Sequence, residues 1–485
     1  MGTRCPAVLI AIAVAAGLVP GPAPAMVVTL TLTPEAPQVQ GTPIVLTARA
    51  EGGSGDYEYE FYQEIGQRWI IVQHYSRDST WTWDSSGAET GSYYFTVYAR
   101  SIGSTAPYDA ARWRSYQIRN PVVPLTGIPA MASLADSVFG PMPPLVPIPD
   151  EWPVLRESVH RTIQSFLGVG PKEIPPLNPE LVETTLLEDH IRKKVRYQVA
   201  PGESVPAYLL LPLEGGLPRP AVLVLHQSVA CGMREPVGLE GNPEQAIGLD
   251  LVRRGYIVLA PDLITAGERV GEGEPFFDTA SFYDAHPDWS AVGKMLWDHQ
   301  RGIDYLQSLP EVDGKRIGAS GTSLGGSNAY FLAAFDERVQ AVVSVCAQTR
   351  IETDPERMRW ARGSKFVYMP ALRPYLLPHS DLPLPWDIQH LAALIWPRAH
   401  HQVFALRDTM YPPVPFTDPL PDPFLSTSVT IAQVHMTLLP LYRFQGRERH
   451  LQAHCYDAGH GFPVELHESA YSFLDSVLMG RQGSE

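Results

Sequence analysis

The run Gly321-Thr322-Ser323-Leu324-Gly325 sets one serine between two glycines, after the short apolar stretch "RIGAS" and before the alanine-rich "NAYFLAAF". This G-x-S-x-G spacing takes its meaning from a strand–turn–helix context. A strand that reverses sharply into a helix strains the residue at the turn. Gly321 and Gly325 remove side chains where strand and helix would nearly collide, and Ser323 is held out at the sheet edge. The free N–H groups of the new helix point to the place where an oxyanion would form. The chemistry on offer is attack by a hydroxyl. A glycine-rich turn with an idle serine is the bland alternative, and the single occurrence of the motif in the required context weighs against it.

A serine hydroxyl is a poor nucleophile until a base takes its proton. The chain has 15 histidines. His460, in "YDAGHGF", follows the last apolar strand and precedes the last helix, with glycines on both sides. The other histidines have duller settings: His299 lies mid-helix, His400 and His401 open a strand, and His454 sits within one. His226 is assigned to orienting the loop that follows it. The base needs an acid to fix its tautomer. Asp408 stands where the strand "HQVFAL" ends, between Ser323 and His460 in sequence. Glu352 and Asp354 are the fallback acids, and Asp457 is too close to the base along the chain. Two N–H groups should hold the oxyanion, those of Leu324 and of Gln227 in the loop after "AVLVLH", although "HQSVACG" lacks an HGGG run. No CxxC pair and no HExxH motif is present, so no metal or organic cofactor is expected.

Elements of the right kind surround these residues. From Leu181 onward, apolar strands alternate with helical stretches, as in "AVLVLH", "YIVLAPD", "VQAVVSV", "HQVFAL" and "LQAHCY". That rhythm predicts a mostly parallel, doubly wound sheet covered on both faces. In such sheets, ligands bind at the carboxyl ends of the strands. Leu181 to Met479 resembles the α/β-hydrolase superfamily, and most of all its dienelactone hydrolase and acetyl xylan esterase-like branch. The pieces that carry the likeness are "PAVLVLHQ", "RRGYIVLAPDLITAGER", "WDHQRGIDYLQSLPEVDGKRIGASGTSLGG", "WDIQHLAALIWPRA" and "DAGHGF". The resemblance implies an α/β-hydrolase fold and carboxylic ester hydrolysis through an acyl-enzyme on Ser323, with Asp408 and His460 completing the superfamily's Ser…Asp…His order. Dienelactone hydrolases use cysteine as nucleophile, and the serine here favours the esterase side. The segment 411–425 looks like an insertion beside the acid and a candidate lid.

The rest of the chain sets the frame. Residues 1–25 read as an export signal, with Arg4, an apolar run from Ala7 to Val19 and a small-residue site at Ala23–Ala25. The expected location is therefore extracellular or periplasmic. Residues 26–120 alternate apolar with polar in short stretches bounded by turn residues. This suggests a small all-β sandwich of immunoglobulin-like type. Tyr93 in "GSYYF" is a candidate for the tyrosine corner of such domains. Trp69, Trp81 and Trp83 either stack on sugar rings, making this a carbohydrate-binding domain, or fill a core. Residues 121–180, with eight prolines between Pro121 and Pro149, read as a linker with a short helix, and 181–485 as the catalytic domain. A formal charge of -15 argues against nucleic acid or an anionic membrane as main partner. It leaves open an ester substrate, acylated polysaccharide among them. Two other functions compete: a peptidase of prolyl-oligopeptidase type, and a non-catalytic binding or adhesion protein on the same scaffold. The first usually carries a propeller, for which the N-terminal segment is too short at four strands per blade.

Overall fold

The computed structural model describes residues 26–481 except 66–67, 90, 120–123, 126, 146–150, 169, 172, 362–366 and 412–425. The export-signal reading and nearly all of the lid reading thus lie outside the described residues. Two compact units divide the chain, Met1–Pro121 and Val122–Glu485.

The first unit is all β. Its strands are β1 (Val27–Thr33), β2 (Gln38–Val39), β3 (Pro43–Glu51), β4 (Tyr57–Ile65), β5 (Arg68–Ser76), β6 (Thr80–Asp84), β7 (Gly91–Ser101) and β8 (Ala110–Arg119). They form one sheet in the order β1-β3-β6 and another in the order β2-β8-β7-β4-β5. The alternating pattern works as expected. Leu30, Ile44, Leu46, Phe61, Trp83, Phe95, Val97 and Tyr116, drawn from both sheets, share one buried cluster. Trp83 packs on Tyr93 and Phe95, with ring centroids 4.7 and 5.1 Å away. It is therefore core and unable to stack on a sugar. Trp81 leans on Phe95 at 6.2 Å, and only Trp69 of the three is exposed. The Tyr93 hydroxyl donates to the Glu89 carbonyl four residues upstream at 2.8 Å.

The second unit is a mixed sheet wrapped by helices. Its strands are β9 (Pro124–Leu125), β10 (Glu180–Leu186), β11 (His190–Ala200), β12 (Glu203–Pro212), β13 (Arg219–Leu225), β14 (Ile257–Pro261), β15 (Val312–Thr322), β16 (Val339–Val345), β17 (Ala399–Ala405) and β18 (Leu451–Tyr456). The sheet order is β10-β11-β12-β14-β13-β15-β16-β17-β18-β9. From β14 to β18 every neighbouring pair is parallel, while β10, β11, β12 and β9 join antiparallel. Every residue of β14 and β17 is buried, as strands covered on both faces must be. The helices are α1 (Ile128–Phe139), α2 (Trp152–Leu167), α3 (Ile247–Arg253), α4 (Ala280–Ala285), α5 (Ala291–Ser308), α6 (Leu324–Phe335), α7 (Arg373–Leu376), α8 (Ile388–Ile395), α9 (Thr430–Phe444) and α10 (His467–Leu474). No helix among the described residues is long and apolar enough to cross a membrane.

The stretch expected to be a linker is built into this unit instead. β9 pairs with β18, and α2 buries Trp152, Ile163 and Leu167 in the main core. On α9, Gln433 Nε2 donates to Asp136 Oδ1 of α1 at 2.6 Å and to the Gly140 carbonyl at 3.0 Å. Both helices hold a proline, Pro129 and Pro153, in the first turn. There the missing N–H has no intrahelical partner to lose. The proline density that suggested a linker is in part helix initiation.

Candidate active site

β15 delivers the serine. Ser323 has φ 55° and ψ −121°, a conformation that side chains rarely adopt. The surroundings hold it there: its N–H donates to the Val345 carbonyl at 2.8 Å, and its carbonyl accepts from Ser327 N at 2.9 Å. The flanking glycines have steric reasons. A Cβ on Gly325 would lie 2.0 Å from the Leu225 carbonyl oxygen, and one on Gly321 2.5 Å from the Gly325 carbonyl carbon. Gly326, which the motif does not include, is equally constrained, with Ala347 Cβ and the Gly321 oxygen each 2.8 Å from its would-be Cβ. The elbow is three glycines tight, because α6 starts directly against the ends of β13 and β16.

Two other strands end at the same edge. β17 leads to Asp408 and β18 to His460, with Ala405 and Tyr456 paired in register. His460 Nδ1 lies 2.9 Å from both carboxylate oxygens of Asp408. Asp408 is buried, and its Oδ1 also accepts from Met410 N at 3.0 Å. A carboxylate on Nδ1 fixes the proton there and leaves Nε2 as the basic nitrogen. Ser323, Leu324 and His460 together line a cavity of about 400 Å³. The fallback acids are engaged elsewhere: Glu352 pairs with Arg350 at 2.8 Å and Asp354 with Arg359 at 3.0 Å; Asp457, set aside from the start, pairs with Arg407 at 2.5 Å.

The loop after β13 carries Gln227, whose backbone N–H is the expected second oxyanion donor. The Gln227 side chain turns to Glu235, donating to Oε1 at 3.1 Å. The wall of the cavity at this point is Ser228, whose hydroxyl bonds to the Tyr368 phenol. His226 acts on the loop as expected. The Leu263 N–H donates to its Nε2 at 3.1 Å, so Nδ1 carries the proton and gives it to the Gln227 carbonyl at 2.7 Å. Burial holds the pKa of His226 down at about 4, and the ring stays neutral in this role.

Cys346 was not legible as part of the site. It follows β16 with φ 45° and is buried. Its Sγ lies 3.0 Å from the Tyr456 hydroxyl, which is also 2.5 Å from the Gly461 carbonyl beside His460. Sγ, an Asp408 oxygen and a His460 ring nitrogen lie within 4.8 Å of one another. Burial first, and the Asp408 charge second, push the thiol pKa up. The thiol thus packs protonated beside the acid. Cys231, Cys346 and Cys455 are all free thiols.

Comparison with known proteins agrees with this geometry at the level of fold. Residues 205–357 match the family described as "Dienelactone hydrolase family". That span contains Ser323 and stops short of Asp408 and His460. The hydrolase YtaP of Bacillus subtilis (strain 168) is 27% identical over 259 residues, covering 52% of this chain and 82% of that one. A glucuronoyl esterase from Solibacter usitatus superposes with TM-score 0.51 at 17% identity, over 67% of this chain and 93% of that one. A promiscuous CE15 esterase from a marine bacterial metagenome gives TM-score 0.51 at 15% identity, over 69% and 98%. The fold is that of the α/β-hydrolases.

Proposed function

We propose that the protein is a secreted serine hydrolase that cleaves carboxylic esters through an acyl-enzyme on Ser323. The observation that carries this is the His460 imidazole, tied through Nδ1 to buried Asp408 and lining the same cavity as the strained Ser323. His460 Nε2 takes the Ser323 proton as Oγ attacks the ester carbonyl. The amide of Leu324, at the start of α6, and an amide of the Gln227–Ser228 loop hold the oxyanion. His460 returns the proton to the departing alcohol and then activates water to free the acid. Asp408 keeps the ring oriented and stabilises the imidazolium. The all-β unit, with Tyr93 closing a turn onto Glu89, is read as an immunoglobulin-like sandwich. Exposed Trp69 is what remains of its expected sugar-binding set. The names of the structural neighbours, glucuronoyl and CE15 esterases, agree with an acylated polysaccharide as substrate class.

The test is purified protein with 4-nitrophenyl esters and peptide anilides, beside Ser323→Ala. Ester turnover should fall by about 10⁴–10⁶ in kcat in the variant. Anilide cleavage without ester cleavage would make this a peptidase and defeat the esterase reading.

A further inference from the structure

The cavity beside Ser323 has a direction. Its wall on α6 is Leu324, Ser327, Asn328 and Phe331. These positions are i, i+3, i+4 and i+7, one stripe of a helix. Seven residues at 1.5 Å each make a slot about 10 Å long. Its far end is aromatic. Phe331 meets Trp360 edge to face with centroids 6.4 Å apart, and Trp360 meets Tyr368 in the same manner at 6.1 Å. Val292 of α5 completes this end.

An acyl group on Ser323 hangs from the residue at which this slot opens, since Leu324 is the first of its wall. The alcohol must leave beside His460 to receive its proton. We propose that the slot takes the acyl side of the substrate and that its preferred occupant is an aryl group, so that the favoured esters are those of aryl-substituted carboxylic acids and not acetates. This rests on ester hydrolysis at Ser323.

Three observations support the choice. The first is size. A ring the size of benzene is held by a cavity of about 150 Å³, so a cavity of about 400 Å³ shared by the acyl and alcohol sides has room for a ring on the acyl side. A methyl group would leave the α6 stripe and its aromatic end unfilled and forfeit the contacts of those walls. The second is shape and chemistry. Aromatic side chains already arranged edge to face offer a third ring the offset and edge contacts that such rings prefer. Binding realised far from the reacting carbonyl is then available to lower the barrier. The third is charge. Arg359, at the wall beside Met410 and Tyr411, is held by Asp354 at 3.0 Å and Glu356 at 3.6 Å, and lies over the Tyr411 ring at 5.1 Å. Its charge is already met by two carboxylates, so the slot suits an uncharged group.

The experiment holds the leaving group constant: 4-nitrophenyl acetate, hexanoate and 3-phenylpropanoate with the full chain. We expect kcat/KM for the phenylpropanoate at least tenfold above the acetate and above the hexanoate. Acetate as the best substrate overturns the slot assignment, and hexanoate as the best replaces an aryl by an aliphatic occupant and overturns it too. No ester turnover at all would instead defeat the serine-esterase reading itself. Val292→Phe, verified as folded by circular dichroism, should lower the phenylpropanoate-to-acetate ratio at least tenfold. An unchanged ratio counts against the proposal.

Discussion

The two halves of the candidate site are held together by different physics. The Ser323 elbow is a local object. Its strain, its three glycines and its helix start all fall between Gly321 and Gly326. The Asp408–His460 pair is long-range: the residues are 52 apart in sequence and meet only because β17 and β18 lie side by side in one register. Steric necessity leaves a mark on neighbouring residue types. Register leaves none, because it is fixed by the burial of whole strands. The serine half can thus be argued from five letters, and the acid–base half only from the order of elements.

Five substitutions or conditions probe that contrast. Asp408→Asn should cost most, about 10³–10⁴ in kcat, because the fold survives while the imidazole loses its fixed tautomer. Glu352→Gln, at the exposed end of the pair with buried Arg350, is the control and should stay within threefold. Equal losses in the two variants would mean the wrong acid has been chosen. Gly325→Ala attacks the local half. Its Cβ would need the space of the Leu225 carbonyl, so activity should fall about a hundredfold or more and the urea midpoint should drop, by about 3 kcal/mol of stability. A variant with native midpoint and native rate would show that the elbow is looser than drawn.

Acid should loosen the long-range half. Burial lowers the pKa of His226 and His435 to about 4 and of His299 and His400 to about 3. Unfolded histidine titrates near 6.5. As pH falls below that value the unfolded chain takes up protons that the folded chain refuses, so stability is lost between about pH 6.5 and 3–4. Asp262 and Asp387, raised by burial to about 6, pull the opposite way below pH 6. Four histidines against two carboxyls leave a net loss. Thermal scans at pH 7 and pH 5 should differ by on the order of 10 °C, and a flat profile would show that these rings are reached by water. Apart from the Glu352→Gln control, Cys346→Ala should have the smallest effect, a loss of kcat under tenfold, since the thiol only packs against the acid. A loss as deep as that of Asp408→Asn would make it a chemical participant.

What the sequence disclosed follows the same division. The fully apolar β14 could be read as a covered strand, β17 only through its apolar end Val403–Ala405 because His400, His401 and Gln402 open it, and Asp408 and His460 could be placed by the strand ends they follow. Gly326 escaped because part of its crowding comes from Val345 and Ala347, at the end of the next strand. Cys346 escaped for the same kind of reason: its neighbours Tyr456 and Asp408 arrive from β18 and β17. Ser228 lies in a loop with no periodicity, so its place on the cavity wall could not be read. Trp81 and Trp83 alternate on β6, which could equally have been an outward face. Only the partner sheet decides that Trp83 is inside. The helix read in the proline-rich stretch is α2, while the surrounding prolines masked α1.

The backbone of Ser323 has a practical consequence. Its torsion angles are ones glycine occupies with ease and serine does not. A directed-evolution campaign that ranked variants of this chain by heat resistance alone would therefore tend to install glycine at position 323. With Ser323 as the proposed nucleophile, the winners would be robust and inert, so any such screen has to count turnover as well as survival.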